Sequence, residues 1–190
     1  PIRSTYYIEN ADFVSCSLDS YIFKYDMVKN VKKNGTFLLN TSFDAEEIVK
    51  VLPNKIKKQL AEKNAKFYII DANKVAQAIG MGRRTNTILQ SAFFYLNQSI
   101  MPFEEALKYM KEFCLKSYAK KGMEIVELNY KAIDAGWKEV VEVKVDPKWA
   151  ELKVLKENKS TEDEYFDEFV EQIETLNGYD LPVSTFTKYG

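Results

Sequence analysis

Residues 35–41 read GTFLLNT, an apolar run that ends in polar residues able to begin a helix. Residues 66–72, KFYIIDA, repeat that arrangement further along the chain. Strands are predicted at residues 36–39 and 66–70, and also at residues 5–8 and 13–16, because all four runs are rich in aromatic and branched side chains. Helical patterns separate the later runs. Since strands that alternate with helices are typical of a parallel sheet covered on both faces, we predict an α/β fold with a mostly parallel sheet.

The helices are predicted from capping residues and from apolar side chains spaced three and four apart. A cap at Asp19 or Ser20 predicts a helix to about residue 30, and Thr41-Ser42 predicts the cap of the next helix. Pro53 should interrupt that helix and restart it. Further patterns predict helices near residues 75–79, 88–96, 103–118 and 123–140, followed by a half-exposed strand at 141–145.

The composition changes after Val145, and on that basis the prediction divides the chain at residue 148. Residues 1–148 are expected to form the α/β domain. Residues 149–190 are expected to form a helical part: a helix that begins with a capping box at residues 161–164, and then an extended strap at residues 181–184. A lone amphipathic helix needs a partner to bury its apolar face, so this part should lie toward a neighbouring domain.

Charge and composition argue against several classes of function. The 27 basic and 28 acidic side chains leave a net charge of −1, so no strong field favours nucleic acid or an anionic membrane. Histidine is absent, which removes the commonest general base and zinc ligand and argues against a complete hydrolase. Cys16 and Cys114 have no cysteine neighbours, so we predict two buried reduced thiols, no bound metal and a cytoplasmic location.

The first candidate site is the sequence Gly80-Met81-Gly82-Arg83-Arg84-Thr85-Asn86-Thr87, which opens a predicted helix. Glycines permit a tight turn, a helix start offers free N–H groups, and arginine binds phosphate with two parallel hydrogen bonds. These features predict an anion site. A capped turn between helices with two solvated arginines is the structural alternative. The motif is not a dinucleotide fingerprint, because it lacks the third glycine and does not directly follow a strand.

The second candidate site is Asn40-Thr41-Ser42, which follows a predicted strand and opens a helix. Open α/β sheets bind ligands at the carboxyl ends of their strands, so Thr41 and Ser42 are candidate ligand contacts. Simple helix capping by either residue is the alternative. The clustered carboxylates all lie in predicted first helical turns, where the helix dipole favours them. We therefore assign no catalytic acid or base.

Several long motifs in the same order resemble one family, the pyruvate:ferredoxin (flavodoxin) oxidoreductases. The chain resembles the gamma domain of their single-chain members, and residues 181–186, LPVSTF, resemble the connector to that family's ferredoxin-like cluster domain. The matching stretches are residues 1–6, 11–14, 25–26, 35–41, 66–72, 82–94, 129–130 and 134–136.

The resemblance implies an incomplete Rossmann-like sheet within a larger enzyme. In the family, the whole enzyme decarboxylates pyruvate oxidatively on thiamine diphosphate with Mg²⁺. It transfers the acetyl group to coenzyme A and passes electrons through [4Fe–4S] clusters to ferredoxin or flavodoxin. The family's gamma domain begins with a strand and a glycine-rich turn that would precede Pro1, so we expect half of the phosphate site to be missing here. The start without methionine likewise predicts a piece of a longer protein.

The resemblance also implies where coenzyme A should bind. Arg84, Asn86 and Thr87 match the family's motif and are the predicted contacts, followed by Arg83, with Thr41 and Ser42 from the second candidate site. The chain alone is expected to be inactive and to hold no cofactor, because its two cysteines cannot supply the four thiolates of a cluster. Expected partners are the other domains of a homodimeric parent enzyme. The alternative is a docking or dimerisation domain with no ligand contact.

Overall fold

The sheet of the computed structural model, which describes residues 8–154 and 163–189, is built from four strands within those ranges. They are β1 (Ala11–Cys16), β2 (Val31–Asn40), β3 (Lys66–Ile70) and β4 (Val141–Val143). β1, β2 and β3 are parallel neighbours in that order, and β4 pairs antiparallel with β3. The prediction of an α/β fold with a Rossmann-like, mostly parallel sheet is confirmed. The strand predicted at residues 5–8 lies almost entirely outside the described residues.

Nine α-helices occur in the described part of the chain. They are α1 (Tyr21–Lys24), α2 (Ala45–Val51), α3 (Asn54–Glu62), α4 (Ala72–Ala78), α5 (Asn86–Leu96), α6 (Phe103–Tyr118), α7 (Met123–Gly136), α8 (Glu171–Glu174) and α9 (Val183–Tyr189). Pro53 separates α2 from α3, as predicted. None of the described helices is long and apolar enough to cross a membrane.

Helices cover both faces of the sheet because the strands alternate their buried side chains. Phe37 and Leu39 of β2 face α1, α2 and α3, whereas Leu38 faces α4, α5 and α7. β3 alternates in the same way, and the rings of Phe37 and Phe67 stack with centroids 5.7 Å apart. A third apolar cluster joins α6 to α7 and contains Cys114. Both cysteines are free and buried, as predicted, and burial raises the pKa of each thiol.

The contact between α5 and α7 depends on the small size of Gly136. A Cβ at this position would lie 2.4 Å from the carbonyl oxygen of Ile88 and 3.0 Å from Cβ of Ser91. Gly136→Ala should therefore destabilise the domain by about 1–3 kcal/mol, the usual cost of overpacking. Urea denaturation measures the change. Lys131→Ala on the exposed side of α7 is the control, and an equal loss in both variants would contradict the explanation.

Two predicted helix boundaries are wrong. The helix expected to run to about residue 30 ends at Lys24, where the backbone of Tyr25 is extended. The residues that were expected to continue the helix make a tertiary contact instead: the ammonium of Lys63 donates to the carbonyls of Val28 and Lys29. The helix expected to reach Val140 ends at Gly136.

The cap predicted at Thr41 or Ser42 is also wrong. α2 is capped by Asp44, whose carboxylate accepts from the N–H groups of Glu46 and Glu47 at 2.8 Å, with the Glu47 side chain completing a capping box. Thr41 instead donates its hydroxyl to Asp19 Oδ2 at 3.0 Å.

The C-terminal residues form a small helical hairpin rather than a helix and an extended strap. α9 folds back so that Phe186 and Tyr189 pack on Phe169, and Tyr165 contacts Tyr189. This aromatic packing explains why the strap predicted at residues 181–184 is wrong, because Val183 already begins α9. Thr161, the predicted cap, lies outside the described residues. The division of the chain at residue 148 stays a prediction.

Candidate anion-binding site

The turn after α4 holds the first candidate site in a defined conformation. The N–H groups of Gly80 and Met81 donate to the carbonyls of Gln77 and Ala76, which is the hydrogen-bond pattern of a Schellman motif. Gly80 and Gly82 have φ angles of 85° and 63°, a region that favours glycine. The buried side chain of Met81 lies in the core on the α4 face of the sheet. The two glycines and Met81 therefore fix the path of the chain into Arg83 and Arg84.

Both arginines of this turn are exposed. Arg84 Nε donates to the carbonyl oxygen of Met81 at 3.2 Å, which restrains one side of the guanidinium. Within residues 8–154 and 163–189, neither Arg83 nor Arg84 forms an ion pair with a carboxylate. Two positive charges without a carboxylate partner are therefore available to an anion.

The start of α5 adds N–H donors to these charges. Thr85 occupies the cap position in a helical conformation, and its side chain makes no capping hydrogen bond. α2 and α4, by contrast, are capped by the carboxylates of Asp44 and Asp71. The first N–H groups of a helix have no partner within the helix and carry its partial positive charge. An anion placed at the start of α5 would meet these N–H groups and the guanidinium groups together.

Asn86 and Thr87 have different environments. Asn86 is exposed at the first position of α5. Thr87 is half-buried, and its hydroxyl donates to Asn129 Oδ1 on α7 at 3.1 Å. The Thr87 hydroxyl is therefore engaged in helix packing, and the backbone N–H of Thr87 is the group it can offer to an anion.

Thr41 and Ser42 lie in a different place, a polar cleft of about 270 Å³ at the carboxyl ends of the three parallel strands. The turn at residues 80–85 does not line this cleft. α4 connects the two regions, since its capping residue Asp71 and Gln77 in its last turn both line the cleft, and the carbonyl of Gln77 accepts from Gly80 of the turn. Arg83, Arg84 and Asn86 therefore lie together in the turn and the start of α5, outside the lining of the cleft that contains Thr41.

Asn40, the first residue of the second predicted site, organises the cleft through hydrogen bonds that the sequence did not predict. Its amide donates to the carbonyl of Ser17 at 3.0 Å, and its carbonyl accepts from the N–H of Ala72 at 2.9 Å. One buried side chain therefore joins the loops that follow all three parallel strands. An asparagine at the last position of a buried strand was the available signal. The cleft is lined by the carboxylates of Asp19 and Asp71 and by Lys74, which makes it less suited to phosphate than the arginine turn.

The comparison with protein families gives a match over most of the chain. The family model described as pyruvate ferredoxin/flavodoxin oxidoreductase matches residues 1–139.

The described residues contain no candidate metal site. In those ranges, no group of three or more His, Cys, Asp or Glu side chains lies close enough together to hold a metal ion.

Curated relatives extend this similarity over the whole chain. The chain is 40% identical to the pyruvate:ferredoxin oxidoreductase of Moorella thermoacetica over 193 residues, which cover 100% of this chain and 16% of that protein. It is also 40% identical to the pyruvate-flavodoxin oxidoreductase of Enterobacter agglomerans over 190 residues, 98% of this chain and 16% of that protein. The chain therefore spans about 16% of the length of these relatives.

A solved structure shares the fold. The crystal structure of the pyruvate oxidoreductase subunit PORC from Thermotoga maritima superposes with a TM-score of 0.55 at 23% identity, over 72% of this chain and 67% of that one. At this level of identity the similarity concerns the architecture of the sheet and its helices.

Proposed function

The chain belongs to the pyruvate ferredoxin/flavodoxin oxidoreductase family, and we propose that within its parent enzyme it helps to bind coenzyme A. The parent enzyme would decarboxylate pyruvate oxidatively to acetyl-coenzyme A and CO₂, with the electrons passing to ferredoxin or flavodoxin. This domain contributes binding and positioning, and the reacting groups lie elsewhere in the parent. The observation that carries the proposal is the uncapped start of α5 beside two exposed arginines that pair with no carboxylate of residues 8–154 and 163–189.

The phosphate-bearing head of coenzyme A suits the chemistry of this turn. A guanidinium forms two parallel charge-assisted hydrogen bonds to a phosphate, and the N–H groups at a helix start add further donors. The hydrogen bond from Arg84 Nε to Met81 restrains that side chain while its terminal nitrogens stay available. Arg84 is therefore the principal contact, supported by Arg83, Asn86 and the N–H of Thr87.

Thr41 and Ser42 would contact an uncharged part of the ligand. Their cleft contains two carboxylates and one lysine, so hydroxyl and amide groups suit it better than phosphate does. The backbone and side chains at the end of β2 would orient those groups by hydrogen bonds.

We place the other cofactors of the parent enzyme on other domains. A [4Fe–4S] cluster takes four thiolates, whereas Cys16 and Cys114 lie in separate apolar clusters of this chain. Thiamine diphosphate and its Mg²⁺ would be held by other domains in the same way. Two free buried thiols suit a reducing compartment, so we place the enzyme in the cytoplasm.

Pantetheine, which ends in the same thiol but carries no nucleotide or phosphate, provides a test. In the parent enzyme, the double variant Arg83→Ala/Arg84→Ala should lower kcat/KM for coenzyme A by at least about tenfold and leave kcat/KM for pantetheine nearly unchanged. The ratio of the two values measures recognition of the phosphate-bearing head. An equal loss for both acceptors would favour the docking-domain alternative, in which the arginines only anchor neighbouring domains.

A further inference from the structure

An apolar groove of about 700 Å³ lies between α5, α6 and α7, away from the polar cleft. Its wall on α6 follows the pattern i, i+3, i+4, i+7, i+8, i+11, i+12, so these residues share one side of the helix: Ala106, Tyr109, Met110, Phe113, Cys114, Ser117 and Tyr118. None of the side chains that line the groove is charged. The groove is therefore a continuous uncharged surface on the outside of the third apolar cluster.

Large apolar side chains of this groove are open to solvent. Phe113 is 62% exposed and Tyr109 is 40% exposed, and Ile100, beside the lining residue Met101, is 62% exposed. A contiguous exposed apolar surface of this kind usually marks a site that binds a partner.

Positive charge borders the half of the groove that lies nearer the C-terminus of α6. The ammonium of Lys121 lies 5.7 Å from the ring centroid of Tyr118, and the ammonium of Lys116 lies 5.3 Å from that of Phe113. Both rings line the groove. In the described ranges neither lysine pairs with a carboxylate. Glu104 and Glu105 lie in the first turn of α6, at its other end.

We propose that this groove binds an amphipathic helix that carries acidic residues in its first turn. From Ala106 to Tyr118 the wall runs about 18 Å, at 1.5 Å per residue, which matches three to four turns of a partner helix. Acidic residues are favoured in the first turn of a helix, so the lysine end of the groove receives the partner's N-terminus. The partner therefore lies antiparallel to α6, with its apolar face against Tyr109 and Phe113, the helix-in-groove mode of recognition.

The shape of the groove favours a helix over a long-chain carboxylate, which has the same charge pattern. A pocket for a small ligand buries most of that ligand's surface, whereas the ring of Phe113 is 62% exposed and lies open to a broader partner. A helix presents two or three large side chains at each level and covers that ring.

The test uses the 190-residue chain and a fluorescein-labelled synthetic helical peptide of about 16 residues, the length of α6. The peptide carries glutamates in its first turn, an apolar stripe and lysines in its last turn. We expect saturable binding by fluorescence anisotropy, and at least about tenfold weaker binding of a peptide with its charges reversed. Phe113→Ala should weaken binding about tenfold, as expected of a central aromatic contact. The control Phe23→Ala, at a phenylalanine 58% exposed on α1, should have no effect.

Lys121→Glu together with Lys116→Glu should reverse the preference, so that the charge-reversed peptide binds better. Three results with the peptides would overturn the proposal: no binding of the first peptide, equal binding of both peptides, or equal effects of Phe113→Ala and Phe23→Ala. Binding of sodium laurate in place of the first peptide would overturn it in favour of a long-chain carboxylate. Self-association of the chain, detected by sedimentation and abolished by Phe113→Lys, would overturn it in favour of a second copy as the occupant.

Discussion

Arg84→Ala in the parent oxidoreductase should raise the apparent KM for coenzyme A about tenfold to a hundredfold. Loss of a charge-assisted bidentate contact costs about 1.5–3 kcal/mol, and each 1.4 kcal/mol is about a factor of ten in affinity. The guanidinium of Arg84 is exposed and makes one described hydrogen bond, to the backbone of Met81, so its removal leaves no buried group unpaired. The effect should therefore appear in the kinetics of coenzyme A and not in stability.

Matched variants separate phosphate recognition from general charge. Arg84→Lys should recover only part of the loss, because an ammonium keeps the charge but not the planar pair of donors. Lys50→Ala, at an exposed cation on α2, should leave the KM unchanged. Reaction of pyruvate with the enzyme in the absence of coenzyme A should be nearly normal in all three variants. A combined loss of pyruvate reactivity and thermal stability in Arg84→Ala would make this residue a structural anchor.

Phe37→Ala should lower the free energy of unfolding by about 3–5 kcal/mol, the range for a fully buried phenylalanine. Phe37 is 0% exposed at the centre of β2, and its ring stacks on Phe67 beneath α2 and α3. The remaining cavity cannot collapse easily, because the strands on both sides hold the backbone. A domain has only about 5–15 kcal/mol of stability, so the variant should be partly unfolded at moderate urea concentrations.

Urea denaturation of the 190-residue chain measures this change. The midpoint should fall while the slope of the transition stays the same, because the surface exposed on unfolding is little altered. Phe23→Ala is the matched control, since that ring is 58% exposed and its removal should cost less than about 0.5 kcal/mol. Equal midpoints for the two variants would mean that the ring of Phe37 does not stabilise the packing of the sheet against α2 and α3.

The sheet was predictable because its central strands carry the signal in their own residues. β3 has the predicted bounds, and β2 contains the predicted run, since uninterrupted apolar residues between polar ones are characteristic of strands buried on both faces. α1 was mispredicted because its continuation competes with a tertiary contact, the ammonium of Lys63 on the carbonyls of Val28 and Lys29. The sequence around α1 does not indicate that Lys63, more than thirty residues away, will bond these carbonyls.

The candidate site was predictable in part for the same reason. The positive φ angles of Gly80 and Gly82 and the exposed arginines are local properties, so the sequence was enough to indicate the turn. The cap of α2 was misassigned because Thr41, Ser42 and Asp44 are polar residues within four positions that could each serve. In the fold Asp44 is the cap, and the hydroxyl of Thr41 bonds Asp19 instead. The role of Asn40 depends on three loops meeting, which only the fold reveals.

Titration calorimetry of coenzyme A into the parent enzyme, with and without the Arg84→Ala substitution, tests the coenzyme A proposal most directly because it measures binding apart from turnover. If the turn at residues 80–85 binds the phosphate-bearing head, the Kd for coenzyme A should rise about tenfold or more in Arg84→Ala, while the melting temperature of the enzyme stays unchanged. An unchanged Kd in a folded variant would contradict the proposal that Arg84 binds coenzyme A.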